Sequence, residues 1–227
     1  AVVLDEFDKS IEIGYKIEME EIMNSIPTSA QRVLTSATEK TKIPEYLKLD
    51  NPQRFTFEKE EREQLIVKEV NGPNKLRTLN NLLGYIGDNN GIIFCNFKDS
   101  IEEISDQLFD AGIEHVTFYG GMDQIDRERA LIKFRNGSSN ILLATDLAAR
   151  GLDIPDLGYI IHYETPARPD EYTHRNGRTA RMKKNGIAYV INNGKKLPPF
   201  IQINESFEPQ KSAFVPNSRW TTLYISG

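Results

Sequence analysis

The sequence lacks several features on which common classes of protein depend. It has one cysteine, Cys95, which has no partner for an intramolecular disulfide, and its three histidines are too scattered for a metal site. No apolar run approaches the roughly 18 residues that a membrane-spanning helix requires. These absences predict a reducing intracellular compartment, the cytoplasm, and no association with a membrane.

A phosphate-binding loop of the G-x-x-x-x-G-K-[S/T] type is also missing. The segment 193–196, Asn-Gly-Lys-Lys, looks similar, but it lacks the first glycine at the required spacing and the hydroxyl that binds Mg²⁺. We interpret it as a turn. The chain starts in an apolar run without an initiator methionine, so we expect it to begin inside a domain.

Basic residues are in the minority, because 28 lysines and arginines face 33 aspartates and glutamates, for a net charge of −5. This balance argues against a general basic coat for nucleic acid. The charge is unevenly distributed, since residues 173–204 contain lysines and arginines but no acid. A solvated surface segment and an anion-binding segment both fit that composition.

Short apolar runs alternate with amphipathic segments of about a dozen residues between positions 90 and 192, and residues 74–86 look like one more helix upstream. This alternation is typical of βαβ units and a parallel sheet. The runs do not alternate strictly between apolar and polar residues, which indicates that helices cover both faces. The predicted strands are 92–94, 115–119, 141–144, 159–161 and 187–191, and the predicted helices are 74–86, 100–112 and 123–135.

Two further expectations concern local structure. Residues 100–103, Ser-Ile-Glu-Glu, have the form of a capping box, which predicts a helix start at Ser100. Residues 1–51 contain strand-like runs at 2–4 and 32–35 and a helical segment at 17–23. These elements are too few for an independent core.

Polar clusters follow several of the predicted strands. In open parallel sheets, ligands bind at the carboxyl ends of the strands. The acidic segment 5–8 would suit Mg²⁺ and an attacking water, although an acidic loop is the alternative. Residues 144–154 combine a hydroxyl, an arginine and two acids, which could contact phosphates and a sugar.

The third cluster is the segment 174–181, His-Arg-Asn-Gly-Arg-Thr-Ala-Arg. On a helix, Arg175, Arg178 and Arg181 would share roughly one face. Arginines stacked in this way without acidic partners repel one another unless they bind an anion. A triphosphate is a natural candidate, because a guanidinium matches phosphate oxygens. An exposed basic helix is the alternative.

The order of these clusters closely resembles that of the DEAD-box RNA helicases. The resemblance covers residues 1–205 and rests on five segments: DEFD at 5–8, SAT at 36–38, Q-x-x-R at 124–127, ATDLAARGLDI at 144–154 and HRNGRTAR at 174–181. In that family ATP lies between two RecA-like lobes and RNA crosses both. The resemblance implies an α/β fold, a RecA-like parallel sheet with helices on both faces, preceded by a remnant of the first lobe.

The resemblance also implies the domain organisation. Residues 1–56 match the C-terminal part of the first RecA-like lobe, and residues 57–66 match the interlobe linker. Residues 67–206 match the second lobe. We interpret residues 207–227 as a linker and the start of a truncated third domain.

Matches in the first lobe imply roles in ATP hydrolysis and its coupling to RNA. Asp5 and Glu6 match the pair that holds Mg²⁺ through water, and Glu6 is the candidate general base. Asp8 matches the residue that links to Ser36 and Thr38, which couples the ATP site to strand separation. ATP and Mg²⁺ are therefore the implied cofactors of the intact enzyme.

Matches in the second lobe imply catalytic, ATP-binding and RNA-binding residues. Arg178 and Arg181 match arginine fingers that reach the γ-phosphate when the lobes close, and His174 matches a residue of the same network. Three residues match contacts on the ATP side: Gly151, Asp153 and Arg175. Five match RNA-backbone contacts, which hold phosphates and 2′-hydroxyls without reading bases: Asn96, Gly121, Gln124, Arg127 and Thr145.

The sequence departs from the family pattern at three positions. Phe7 stands where the family name has alanine, Asn176 replaces a usual aliphatic residue, and Ala180 replaces a usual glycine. With no phosphate loop in the sequence, we expect the 227 residues alone not to hydrolyse ATP. A monomer is the working hypothesis for the oligomeric state.

Residues 220–227 resemble the first strand of the RNA-recognition-like domain of DbpA-type bacterial helicases. That likeness would direct the protein to ribosomal RNA during ribosome assembly. Two alternatives to an RNA helicase stay open. One is a DNA helicase or translocase of the same superfamily, and the other is a non-catalytic RNA-binding adaptor of RecA-like fold.

Overall fold

Two separate units make up the protein, residues 1–60 and residues 61–227. The computed structural model describes residues 1–8, 11, 14–36, 42–49, 51–56, 65–149, 154, 157–179 and 186–209. Within those ranges, no helix is both long enough and apolar enough to cross a membrane. The predicted third-domain strand at 220–227 lies outside the described residues.

The first unit contains a two-stranded parallel sheet. Strands β1 (Val2–Leu4) and β2 (Arg32–Leu34) pair in parallel, and helix α1 (Lys16–Ser25) lies between them in the chain. Parallel neighbours need a crossover of this kind, because a hairpin turn cannot join them. A 3₁₀ turn at Glu45–Leu47 follows. The predicted strands and helix of this segment are confirmed.

The second unit is a seven-stranded, fully parallel sheet in the order β5-β6-β4-β7-β8-β3-β9. Its strands are β3 (Ile66–Asn71), β4 (Gly91–Cys95), β5 (Val116–Phe118), β6 (Ile141–Thr145), β7 (Tyr159–His162), β8 (Ile187–Asn192) and β9 (Glu205–Phe207). Its helices are α2 (Lys75–Ile86), α3 (Lys98–Asp110), α4 (Gln124–Arg135), α5 (Asp146–Ala149) and α6 (Pro169–Asn176). The predicted α/β fold with a parallel sheet is confirmed.

Helices cover both faces of this sheet, which explains the continuous apolar runs. On β4, Ile92 and Phe94 pack on the face that α4 and α5 cover. Ile93 and Cys95 point the other way, against α2 and α3. Cys95 is a buried free thiol, and burial raises the pKa of that thiol to about 12.

The start of α3 differs from the prediction. The helix begins at Lys98, and its cap residue Phe97 makes no capping side-chain hydrogen bond to any described residue. The predicted capping box at Ser100 is therefore wrong. Ser100 already lies in the first turn, and its hydroxyl donates instead to Glu164 Oε1 at 3.0 Å.

Strand β9 lies beyond the last strand that the sequence predicts for this sheet, at 187–191. It pairs with β3, and Lys68 Nζ of β3 lies 2.9 Å from Glu205 Oε2. The ring of Phe207 packs against Tyr85 and Tyr189, at centroid distances of 4.7 and 6.2 Å. These long-range contacts, which a local pattern does not reveal, hold the seventh strand in place.

The close approach of β4 to β7 gives a test of the sheet. Gly91 pairs with Tyr159, and a Cβ atom at position 91 would lie 2.4 Å from the tyrosine ring. Gly91→Ala should lower the free energy of unfolding by about 1–3 kcal/mol, because the buried ring must move. Gly120→Ala, where nothing lies within 4 Å, is the control and should change it by less than about 0.5 kcal/mol. Equal urea midpoints for the two variants would contradict this packing.

Candidate functional site

The acidic segment of the first unit follows β1 directly. Asp5 Oδ1 accepts hydrogen bonds from Thr35 Oγ1 and from Glu6 N, the latter at 3.1 Å. Glu6 has a φ of +48°, in the left-handed region that few non-glycine residues adopt. A residue held there costs about 1–3 kcal/mol, and such residues cluster at functional sites. The backbone at Glu6 is thus compatible with a functional site, but Lys48 and Asn51 have φ values of +48° and +50° as well, so the angle is not specific to this segment.

The chemistry of Asp5 and Glu6 fits the implied Mg²⁺ site. Asp5 is exposed and Glu6 is half-buried, and both lie at the carboxyl end of β1. Mg²⁺ prefers oxygen ligands, keeps several waters and is bound by one or two carboxylates together with substrate phosphates. Two carboxylates are therefore enough for the protein's share of such a site. Their metal-binding and general-base roles stay predictions.

The acidic segment lies beside the SAT segment. Phe7 N donates to Thr35 O at 3.1 Å, so the residues before Ser36 run next to residues 5–8. Asp8, the residue for which a coupling role is implied, is buried. Thr38, the other implied partner, lies outside the described residues.

The unusual Phe7 belongs to the core of the first unit. Its side chain is buried together with Met23 and Leu47. Leu4 and Leu34, from the two strands, pack against the same cluster. A large apolar side chain at this position therefore fills the small core of the unit, while Asp5 and Glu6 are both retained.

In the second unit, the side chain of Arg175 joins three neighbouring strand ends. It is 1% exposed, and its Nε and Nη2 donate to Asp146 Oδ1 and Oδ2 at 2.7 and 2.5 Å. Nη2 also donates to Asn96 Oδ1, and Nη1 donates to the backbone oxygen of Glu164, both at 2.7 Å. These partners follow β6, β4 and β7, which are adjacent in the sheet. Arg175 therefore ties the carboxyl edge of the sheet together.

This geometry corrects the prediction for Arg175. The argument that the arginines of 174–181 lack acidic partners is wrong here, because Asp146 is the partner. The guanidinium is enclosed and also lies over the ring of Phe94, 5.2 Å from its centroid. The structure thus supports a structural role for Arg175 rather than direct contact with ATP.

The arginine segment is also not one continuous helix. Helix α6 ends at Asn176, and Arg178 follows in a turn in which its backbone N donates to Arg175 O at 3.1 Å. The prediction that Arg175 and Arg178 share a helix face is therefore wrong. Arg181, Gly151 and Asp153, for which catalytic and ATP-binding roles are implied, lie outside the described residues, as does Ala180.

Arg178 and His174 are brought together at this edge of the sheet. Both line a small pocket of about 10 Å³, room for roughly one water molecule. Its other lining residues are Phe94, Asp146, Ala149, Glu171 and Arg175. The network around Arg175 thus forms the wall against which the two implied catalytic side chains lie.

The residues with implied RNA contacts lie along the same carboxyl edge. Thr145 ends β6 and is the register partner of Cys95, so Asn96 lies next to it. Gly121 is in the turn after β5, with a φ of +90° that favours glycine. Gln124 begins α4, and its Nε2 donates to Glu128 Oε1 at 2.9 Å. The fold therefore brings these positions to one edge.

Two of these side chains already have internal contacts. Asn96 Nδ2 donates to Thr165 O at 3.1 Å while its Oδ1 accepts from Arg175. The Arg127 guanidinium lies 4.7 Å from the centroid of the Phe118 ring. Asn96 therefore organises the edge, and its implied RNA contact, like the others, stays a prediction.

Several residues of this edge were not predicted from the sequence. Glu164 accepts from Asn96 N at 2.7 Å, and half-buried Lys75 donates to Tyr163 O at 2.8 Å. Burial lowers the pKa of Lys75. His162, at the end of β7, is fully buried. The signal that could have found them is their position, since each lies at or just beyond the end of a strand or at the start of a helix.

Comparison with known proteins agrees with this architecture. The sequence profile of the helicase conserved C-terminal domain matches residues 74–183. DEAD-box ATP-dependent RNA helicase 35 of Arabidopsis thaliana is 31% identical over 221 residues, which are 95% of this chain and 37% of that protein.

Solved structures extend the likeness. The structure of Saccharomyces cerevisiae Dbp5 bound to RNA and ADP BeF3 matches with a TM-score of 0.72 and 26% identity, over 85% of this chain and 53% of the Dbp5 chain. The Escherichia coli DEAD-box protein SrmB, bound to regulator of ribonuclease activity A, matches with a TM-score of 0.55 and 32% identity. That match covers 58% of this chain and 79% of the SrmB chain in that structure.

The second unit is a helicase C-terminal domain of the RecA-like type. The chain belongs to the DEAD-box protein family. It spans 37% of the Arabidopsis protein and about half of the Dbp5 chain.

The Arg175–Asp146 pair gives a direct test of the edge. Asp146→Asn should lower the free energy of unfolding by roughly 3 kcal/mol, because it leaves a guanidinium charge buried without its carboxylate. Asp126→Asn removes an exposed pair with Arg129, 3.4 Å apart, and should change stability by less than about 0.5 kcal/mol. Similar denaturation curves for the two variants would show that the buried pair is not structurally important.

His162 should make the stability of the second unit depend on pH. Burial, together with the charge of Arg175, lowers its pKa from 6.5 to about 3. Below pH 6.5 the unfolded chain therefore binds a proton that the folded chain does not, and stability falls as the pH is lowered. The slope from this residue is at most about 1.4 kcal/mol per pH unit.

Urea unfolding between pH 7 and 4.5, compared with His162→Gln, isolates this effect because glutamine does not titrate. As the pH is lowered, we expect the free energy of unfolding of the unsubstituted protein to fall relative to that of His162→Gln. Curves that stay parallel across the range would mean that His162 is not held neutral.

Proposed function

We propose that this chain is part of an ATP-dependent RNA helicase that couples RNA-stimulated ATP hydrolysis to local unwinding of a duplex. The observation that carries the proposal is Arg178, which lies beside His174 against a buried, hydrogen-bonded network at the carboxyl ends of parallel strands. The names of the relatives support it, since the Arabidopsis protein is an ATP-dependent RNA helicase.

Arg178 is suited to stabilise a transferring phosphoryl group. Phosphoryl transfer depends mainly on positioning and charge neutralisation, and an arginine finger can contribute on the order of 10³–10⁵ in rate. A guanidinium is effective only if it is held in place, and the turn carrying Arg178 is hydrogen-bonded to the backbone of Arg175, which Asp146 anchors. Bound ATP and Mg²⁺ would supply the phosphoryl group and its counter-charge.

Asp5 and Glu6 complete the proposed chemistry from the first lobe. Asp5 would hold the hydrated metal ion, and Glu6 would orient the attacking water and take its proton. The hydrogen bond from Thr35 to Asp5 restrains the direction of the Asp5 carboxylate. Hydrolysis would then require both lobes, so ATP turnover would depend on their closure.

The proposed RNA path follows the edge that contains Asn96, Gly121 and Thr145. Contacts there would be to phosphates and 2′-hydroxyls, so the lobe would bind RNA without strong sequence preference. A strand bent by such contacts cannot stay in a regular duplex, which favours local unwinding over processive travel.

The finer predictions have less support. Curated relatives include eukaryotic proteins from plants, Dictyostelium discoideum and Schizosaccharomyces pombe, which does not favour a DbpA-type bacterial enzyme or its ribosomal RNA target. We therefore propose an RNA helicase without specifying its RNA. A cytoplasmic location and a monomeric state are also proposals; the buried free thiol of Cys95 suits a reducing compartment.

Substitution of Arg178 tests the proposed function. In the intact protein, Arg178→Ala should reduce RNA-stimulated ATP turnover by at least about 10³-fold and leave RNA binding measurable, because the arginine acts on the transition state. Arg77→Ala, an exposed arginine on α2, is the control and should keep full turnover. The 227-residue chain alone should show no ATPase activity.

Three outcomes would reject parts of this proposal. Unchanged turnover in Arg178→Ala would favour the non-catalytic RNA-binding adaptor. Stronger stimulation by DNA than by RNA would favour the DNA translocase. ATPase activity of the 227-residue chain by itself would reject the need for a phosphate loop outside it.

A further inference from the structure

A second buried polar contact joins α6 to the sheet. His162 ends β7 and has no exposed surface, and Asn176, the last residue of α6, is almost fully buried. His162 Nε2 lies 3.0 Å from Asn176 Oδ1. Neither residue has a role in the chemistry proposed above.

The surroundings of His162 define its protonation. With its pKa lowered to about 3, the imidazole is neutral at physiological pH and carries one N–H. Placing that hydrogen on Nε2 gives a donor that faces the Asn176 oxygen. Placing it on Nδ1 would set two lone pairs against each other and bury a donor with no partner among the described residues. The Nε2–H tautomer is therefore strongly favoured.

Tyr172 adds a ring contact beside this hydrogen bond. It lies one helical turn before Asn176 on α6, and its ring packs against His162 at a centroid distance of 5.2 Å. Helix α6 thus meets the end of β7 through one hydrogen bond and one ring contact.

The chain beyond α6 depends on this contact. The backbone N of Arg178 donates to Arg175 O at 3.1 Å, and the backbone N of Thr179 donates to Asn176 O at 3.2 Å. Arg175 and Asn176 are therefore the two residues on which the turn containing Arg178 is built. Arg175 is anchored by Asp146, and Asn176 is anchored by His162.

We propose that His162 and Asn176 are positioning residues for Arg178. Their hydrogen bond fixes the second of two anchor points at the end of α6, and so fixes the direction in which the turn presents the arginine. The proposal rests on the function proposed above, because it assumes that Arg178 acts in ATP hydrolysis. It also explains why asparagine at position 176 replaces the usual aliphatic residue of the family, because an aliphatic side chain could not accept a hydrogen bond from His162.

Kinetics of the intact protein test the contact. Asn176→Leu removes the acceptor at similar volume, and His162→Asn removes the Nε2 donor, because its shorter amide reproduces only the Nδ1 position. Each should lower kcat about 10- to 100-fold, since small misplacements of a catalytic group have effects of this size. KM for ATP should change less than kcat. His162→Gln, whose amide nitrogen can reach the Nε2 position, should retain most of the activity.

A double-substitution cycle separates positioning from loss of stability. If Asn176 acts through Arg178, then Asn176→Leu should have no further effect on kcat in an Arg178→Ala background. Asn192→Leu is the matched control, because Asn192 is also a buried asparagine but is bonded to Glu69 and Lys195, away from α6. It should lower stability and leave kcat within about twofold.

Several results would overturn the proposal. One is a kcat within twofold of that of the unsubstituted protein in Asn176→Leu or His162→Asn. Another is an equal loss of kcat in His162→Asn and His162→Gln. The third is a loss of kcat in Asn176→Leu that adds to the loss in Arg178→Ala. A failure of the proposed function is distinguishable, because it would appear as absent ATPase activity in the unsubstituted protein or as full turnover in Arg178→Ala.

Discussion

The buried ion pair between Arg175 and Asp146 is the contact on which the rest of the second unit's carboxyl edge depends. Removing two charges from water is costly, and the pair is tolerable because the guanidinium also finds Asn96 and the Glu164 carbonyl. One side chain thereby joins β6, β4 and β7, the centre of the sheet. The turn after α6 and the pocket beside it are defined by that attachment.

Much of the fold is readable from the sequence because the sheet is covered on both faces. Runs such as Ile141–Leu143 are apolar throughout, and the helices between them have clear periodicity. Strand β3 escapes the pattern, since Lys68 and Glu69 interrupt its apolar residues, and β9 has only three residues. The predicted cap at Ser100 failed because the hydroxyl has a stronger partner in Glu164, far away in the chain.

The candidate site was predictable in position but not in detail. Motif order places Asp5 and Glu6 directly after a strand, as the structure does. The turn that contains Arg178 follows helix α6 and lies at the carboxyl edge of the sheet. The role of Arg175 was not predictable, because Asp146 lies 29 positions earlier and only the fold brings the two together. The same holds for Asn176, because its partner His162 only follows the predicted apolar strand 159–161 and the sequence gives no sign that the two residues meet.

The central claim is that Arg175 is structural and Arg178 faces the nucleotide. The most direct measurement is a crystal structure of the intact protein with RNA and ADP·BeF₃. The account predicts that the Arg178 guanidinium lies within hydrogen-bond distance of the beryllium fluoride group while Arg175 remains paired with Asp146. A structure in which Arg175 has left Asp146 to bind the nucleotide, or in which Arg178 points into solvent, would contradict it.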